Sequence, residues 1–159
     1  MDLDDLVIDF LAIDKDEREA HSYEIYIQNC CGGGNSKSFE LHDGESVTFF
    51  ANQFNHAFFA TKQNGPVLTS KMGLDIPRIE RINWILPIIK GEISGTECWH
   101  IPREYTGELK RLYVVRSKLY VIWLEPRKRG GFKFSSAYKA RNEQISVYQN
   151  QGTLFWKHA

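Results

Sequence analysis

The sequence predicts an α+β fold, and three observations lead there. A central segment, LDIPRIERINWILPIIKG at 74–91, has helix punctuation and an apolar stripe. The C-terminal part is rich in β-branched and aromatic runs separated by turns. A strand and a hairpin precede the helix. Together they predict a central antiparallel sheet of C-terminal strands packed against one main helix at about 74–90, with an N-terminal strand and hairpin region.

Taken in order, residues 3–13 (LDDLVIDFLAI) suit a short helix or a buried strand, and periodicity does not choose between them. DKDERE at 14–19 is a charged connector. Tyr23, Ile25 and Ile27 alternate with polar residues in SYEIYIQ, which predicts a strand. Three consecutive glycines make CCGGGNSKS at 30–38 a loop. SFEL (38–41), the turn HDGE (42–45) and SVTFFA (46–51) predict a hairpin.

The central helix has Asp75 as N-cap and Pro77 in its first turn. Ile79, Ile82, Leu86 and Ile89 form one stripe, with Arg78, Arg81 and Ile85 on a neighbouring one. Pro87 should kink or end the regular part, and Gly91 suits the position just beyond it. RLYVV (111–115), LYVIWL (119–124) and FKFSSAY (132–138) read as strands, the last with Phe132, Phe134, Ser136 and Tyr138 on one face. EPRKRGG (125–131) is a basic turn, and QISVYQ (144–149) suits one more strand.

A chain of 159 residues fits one domain, and 42% hydrophobic with 13% aromatic residues excludes disorder. The expected parts are an acidic stretch at 1–45, a basic unit at about 46–140 and an extension at 141–159. The net charge of zero conceals an asymmetry: residues 1–50 hold 3 basic and 12 acidic residues, and 51–159 hold 17 basic and 8 acidic. Such a split points to a polyanion partner for the basic part, or to two balancing solvated faces.

No apolar run is long enough for a bilayer, so no membrane association is expected. The opening MDLDDLVIDF is acidic where a secretion signal is basic, so the expected address is cytoplasmic. Cys30, Cys31 and Cys98 make an odd count, which is not a disulfide framework. Cys98 and His100 lie close together, but no second pair has zinc-ligand spacing, so neither a metal nor another cofactor is expected.

Three stretches combine chemistry: FNHAFFATK (54–62), DIPRIERINWI (75–85) and FKFSSAYK (132–139). Cleaving RNA with side chains alone requires a base for the ribose 2′-hydroxyl and an acid for the leaving oxygen. It also requires fixed donors for the charge that builds on the phosphoryl oxygens. A histidine suits either proton-transfer role and His56 supplies one, Arg78 and Arg81 offer planar forks of donors, and Ser136 and Tyr138 add hydroxyls. Each residue alone also fits a bland role. A histidine between apolar residues is commonly a core residue, helix arginines commonly face solvent, and strand hydroxyls commonly bond backbone.

The order of these stretches resembles the barnase, EndoU, colicin and RelE-like ribonuclease superfamily, in its phage and polymorphic-toxin branches. The matching residues are HAF at 56–58, R-x-x-R-x-x-W at 78–84, YVVRSKLYVIWLEP at 113–126 and FKFSSAYKA at 132–140. The resemblance covers roughly 46–140. It implies a metal-independent endoribonuclease of toxin type, acting by 2′-hydroxyl transesterification. RNA would be the substrate, transfer RNA included, with an inhibitor or immunity protein as a candidate partner. It gives His56 the role of acid or base, Arg81 or Arg78 that of phosphate clamp, and Ser136 with Tyr138 the strand hydroxyls. Lys118 and Lys139 are secondary cations beside Arg78 on the substrate side. The second proton-transfer role has no residue. The rival readings are a non-catalytic RNA-binding module and a protein-interaction domain with an acidic head.

Overall fold

The computed structural model describes residues 1–64 and 67–159, and for 61–64 and 67–72 the backbone alone. Thr61 and Lys62, which end the first of the three stretches, therefore have side chains outside the described residues. The class is α+β, with a seven-stranded mixed sheet and helices on both of its faces.

The chain opens with two short 3-10 turns, Leu3–Leu6 and Phe10–Ala12, and so adopts neither of the regular forms considered for 3–13. Leu3 and Phe10 are buried, and Ile8 donates its N–H to the Glu80 carbonyl. Residues 22–28 are helical rather than extended, within α1 (Arg18–Cys30), the longest helix. Its buried residues are Ser22, Tyr26, Ile27 and Cys30, spaced for one helical face. The alternation misled because Tyr26, in a slot the strand pattern gave to solvent, is the fully buried ring. Its hydroxyl donates to the Phe50 carbonyl at 2.8 Å. The glycine run then stops the helix: the N–H groups of Cys31 and Gly33 both reach the Ile27 carbonyl, with Gly33 at φ +81°.

The predicted hairpin follows as β1 (Ser36–Glu40) and β2 (Ser46–Phe50), antiparallel with Ser36 opposite Phe50. A short helix, α2 (Phe54–Ala57), leads to a separate two-stranded sheet, β3 (Phe59–Asn64) with β4 (Val67–Leu74). The segment expected to be one main helix is instead three pieces: α3 (Ile76–Ile79), a 3-10 turn (Ile82–Trp84) and α4 (Ile85–Ile89). Asp75 caps α3 as expected, accepting the Arg78 N–H. The buried residues Ile79, Ile82, Ile85 and Ile88 recur every third position, the period of a 3-10 turn, so Ile85 and Ile88 replace Leu86 on the stripe.

The main sheet runs β1-β2-β8-β7-β6-β5-β9, with β5 (Thr96–Pro102), β6 (Leu109–Val115), β7 (Tyr120–Pro126), β8 (Phe132–Lys139) and β9 (Thr153–Lys157). All pairs are antiparallel except β2 with β8. That parallel contact spans only Val47 with Phe132 and Thr48 with Lys133. Residues 144–149, expected to be a strand, lie in helix α5 (Asn142–Asn150), whose Ile145 and Tyr148 sit three apart and turn to the sheet.

The first face of the sheet carries Tyr113, Tyr120, Ile122, Leu124, Phe134 and Ala137 against α1 and residues 79–89. Leu3, Phe10 and Leu41 belong to the same core, so the acidic N-terminal part completes the fold. The second face packs Leu112, Val114, Val121 and Trp123 against α5. All three cysteines are free and buried.

Strand β8 changes sides partway. Trp123 lies opposite Ser136 and Leu124 opposite Phe134, so Ser135 is a bulge with no partner. Phe132 and Phe134 thus face the first core, while Tyr138 packs with the second. The four residues expected on one face are divided between two, because the extra residue reverses the pleat.

Candidate functional site

The outer edge of β8 beyond Lys133 is met by α2 and α3 rather than by a strand. There His56, Phe59, Arg78, Ser136, Tyr138 and Lys139, with Gln144 of α5, line an open cleft of about 460 Å³. Five of the seven expected site residues therefore come together from three distant stretches.

Helix α2 is short and anchored by Phe54, Ala57 and the following Phe58, all buried. Those positions, at i, i+3 and i+4, use the inward face and leave Asn55 and His56 exposed. Gln53 fixes the segment to β8 by donating to the Ser135 carbonyl at 2.7 Å. The bulge that turns Ser136 outward is thus also the point where the histidine segment is tied down.

Arg78 is held from three sides. Its Nη1 donates to the Ala57 carbonyl at 3.0 Å, Nε faces Asp75 Oδ2 at 3.3 Å, and the guanidinium lies 4.8 Å from the centre of the Tyr138 ring. Nη2 has no protein partner among the described residues. A fork fixed this way offers a donor without rotamer freedom left to lose.

Tyr138 contributes its ring rather than a free hydroxyl. The Tyr138 oxygen accepts from Trp123 Nε1 at 3.1 Å and shares a 2.9 Å hydrogen bond with Tyr148. Burial, and then that hydrogen bond, push the Tyr148 hydroxyl well above its ordinary pKa, so it stays protonated near neutrality. Ser136 is half-buried and Lys139 exposed.

Two expected residues lie elsewhere. Arg81 falls where the helix breaks, at φ −113° and ψ 18°, so it does not share a regular helical face with Arg78. Its Nη1 donates to the Pro77 carbonyl at 2.9 Å, pairs with Glu80 at 3.5 Å, and its guanidinium stacks over Trp84. Lys118 pairs with Asp4 at 2.9 Å and lines a different hollow beside Met1, Asp2 and Glu92. Of the two arginines, Arg78 is the one that lines the cleft.

A second polar cluster escaped the sequence reading. Arg111 of β6 is 3% exposed and pairs through both terminal nitrogens with Asp43, at 3.0 and 2.6 Å. His42 Nδ1 meets the Tyr113 hydroxyl at 2.8 Å and its ring stacks on Trp156, while His100 stacks on Phe155. Burial lowers the pKa of both histidines, with Arg111 adding to it and Asp43 opposing. Burial works to raise Asp43, but the Arg111 hydrogen bonds and charge outweigh it and hold the carboxyl below its ordinary value. Cys98, beneath them, is pushed up to about 12 by burial. The cluster sits on the first face, joining the β1–β2 turn to β5, β6 and β9, away from the cleft. Its sequence signals were the adjacent pair His42–Asp43 and the closeness of Cys98 and His100.

No family model, no curated protein and no solved structure matches this chain.

Proposed function

We propose that the chain is an endoribonuclease that cleaves RNA by 2′-hydroxyl transesterification in the cleft at the edge of β8. One observation supports this above the rest: His56, Arg78, Ser136 and Lys139 line one concave surface of about 460 Å³ although they come from three separate stretches. In this reaction the 2′-oxygen forms a bond to phosphorus and the bond from phosphorus to the 5′-oxygen breaks. The products are a 2′,3′-cyclic phosphate and a 5′-hydroxyl. His56 takes the proton of the 2′-hydroxyl. Arg78 Nη2 and the Ser136 hydroxyl donate to the phosphoryl oxygens as their charge grows. Lys139 is the cationic proton donor in the same cleft for the leaving oxygen. Tyr138, tied through its hydroxyl, positions Arg78.

The donor set supplies proton transfer and charge neutralisation without a metal. RNA is the natural polyanion for the basic part of the chain. The toxin-type role, and with it an immunity protein as partner, rests on the resemblance alone. A non-catalytic RNA-binding module is the second reading, favoured by the presence of a single histidine in the cleft. The deciding experiment is incubation of the full chain with total RNA in chelator, followed by analysis of product ends. Cyclic phosphate ends that disappear with His56→Ala support the enzyme. RNA that is bound but never cut supports the module.

A further inference from the structure

Two more hollows are linked to the cleft through neighbouring residues of the chain. Asn55, next to His56, belongs to a hollow of about 490 Å³ lined by Tyr23, Asn35, Phe50, Ala51 and Asn52 as well. Phe50 also borders a hollow of about 390 Å³ with Arg103, Arg127, Lys128 and Lys133 on its walls and Glu108 as its one acid. Lys133 and Ser136 stand on the same strand, within about 10 Å at the rise of a strand. The three concavities are thus joined in sequence, the first two by the neighbours His56 and Asn55, the last two by Phe50.

The middle hollow has an unusual inventory. Asn35, Asn52 and Asn55 are all exposed, and among the described residues none of their amides has a hydrogen-bond partner. Their placement is nonetheless fixed. The Asn35 carbonyl accepts the Ala51 N–H at 2.8 Å, and Gln53 ties the segment to β8. Tyr23 is 42% exposed and braced edge-on by Phe54, their ring centres 5.2 Å apart. Arg127 lies over the Phe50 ring at 5.3 Å while donating to Thr48 at 2.9 Å. A carboxamide offers a donor and an acceptor side by side, which is what the edge of a nucleobase presents. Aromatic rings supply the stacking surface that an unpaired base needs. A cationic hollow beyond suits the next phosphate.

We infer that the Asn35–Asn52–Asn55 hollow holds one unpaired nucleobase beside the cut phosphate, and that the Arg103–Arg127–Lys128–Lys133 hollow holds a neighbouring phosphate of the same single strand. The inference rests on the ribonuclease reading for the position of the cut. The amides confer base preference, whereas the cations confer affinity without sequence.

The test uses the full chain and 2′-O-methyl heptamers of A, of C, of U, and of alternating G and U, none of which can be cleaved. One heptamer should bind roughly tenfold more tightly than the rest, the scale of one well-formed pair of base contacts. The triple variant Asn35→Ala, Asn52→Ala, Asn55→Ala should lower that heptamer to the level of the others. Because these side chains are exposed, the variant should unfold at the wild-type denaturant midpoint. Arg127→Ala with Lys128→Ala should instead weaken all four alike and flatten the dependence on salt. Equal binding of all four by the wild type, no binding at all, or an unchanged preference in the triple variant overturns the inference. The two readings separate cleanly. Selective binding without cleavage of natural RNA refutes the ribonuclease and leaves this site standing. Cleavage with no base preference next to the cut does the reverse.

Discussion

Replacing Arg78 and Arg81 by alanine, one at a time, should produce opposite signatures. Arg78 makes a hydrogen bond to the Ala57 carbonyl, an ion pair with Asp75 in which both side chains are 23% exposed, and a contact with the Tyr138 ring. The hydrogen bond contributes about 1 kcal/mol. The partly exposed pair contributes less than about 1 kcal/mol, and the ring contact about 0.5–1 kcal/mol. Arg78→Ala should therefore cost about 2 kcal/mol of stability, which leaves a protein of ordinary stability folded. Its effect on rate should be much larger, about 10²–10³-fold, because a fixed donor to the phosphoryl oxygens is lost. Arg78→Lys keeps the charge but not the fork, and should recover little of the rate. Arg81→Ala removes a bond to the Pro77 carbonyl and a contact with Glu80, a loss of about 1–2 kcal/mol, with the rate unchanged. Single-turnover cleavage of a labelled RNA in chelator measures the rates, and urea unfolding the stabilities. If Arg81→Ala loses rate as Arg78→Ala does, or Arg78→Ala cleaves at the wild-type rate, the cleft is assigned wrongly.

Three further outcomes are expected. His56→Ala should lower the cleavage rate by about 10²–10⁴-fold while RNA affinity, measured by fluorescence anisotropy, barely changes, since cations rather than one imidazole hold the phosphates. Asp43→Ala leaves the Arg111 charge buried and unpaired, and should cost about 3 kcal/mol in urea unfolding with no effect on the cleft. His42 and His100 titrate below their ordinary value in the fold because of burial, so the unfolded chain binds protons first on acidification. Stability should be full above the unfolded pKa of about 6.5 and fall as pH drops below it. A variant with both changed to glutamine should show a shallower fall over the same range.

Much of the architecture was legible in local pattern. The β1–β2 hairpin, the strands near 111–115, 119–124 and 132–138, and the Asp75 cap follow from turn residues, β-branched runs and capping chemistry. Residues 22–28 and 144–149 misled for one reason: short aromatic and β-branched runs satisfy both periods, and only the partner surface decides. The strands β5 and β9 gave no distinct signal, since one draws its apolar residues from a mixed stretch and the other is an exposed edge. At the site, the residue types could be read but their facing could not. Whether Arg78 or Arg81 enters the cleft depends on where a helix breaks, and the side taken by Ser136 depends on a bulge. The Arg111–Asp43–His42 cluster is assembled from a turn and three strands, so no local window contains it.

The bulge at Ser135 makes β8 a strand with two phases, and this sets where the strand tolerates the loss of a residue. Deleting Ser135 would restore a strict two-residue pleat from Phe132 onward. Ala137 would nonetheless stay in the phenylalanine-rich core and Tyr138 would keep its bonds to Trp123 and Tyr148, because the residue lost is the spare one that β7 does not pair. Ser136 would keep its place opposite Trp123 and its side of the strand. A codon lost at Ser135 is thus absorbed by the bulge, whereas one lost between Ser136 and Tyr138 has no spare residue to draw on and turns the positions beyond it to the other face. The reading frame of the pleat, more than the identity of any residue within it, is what keeps core and cleft on opposite sides of the same strand.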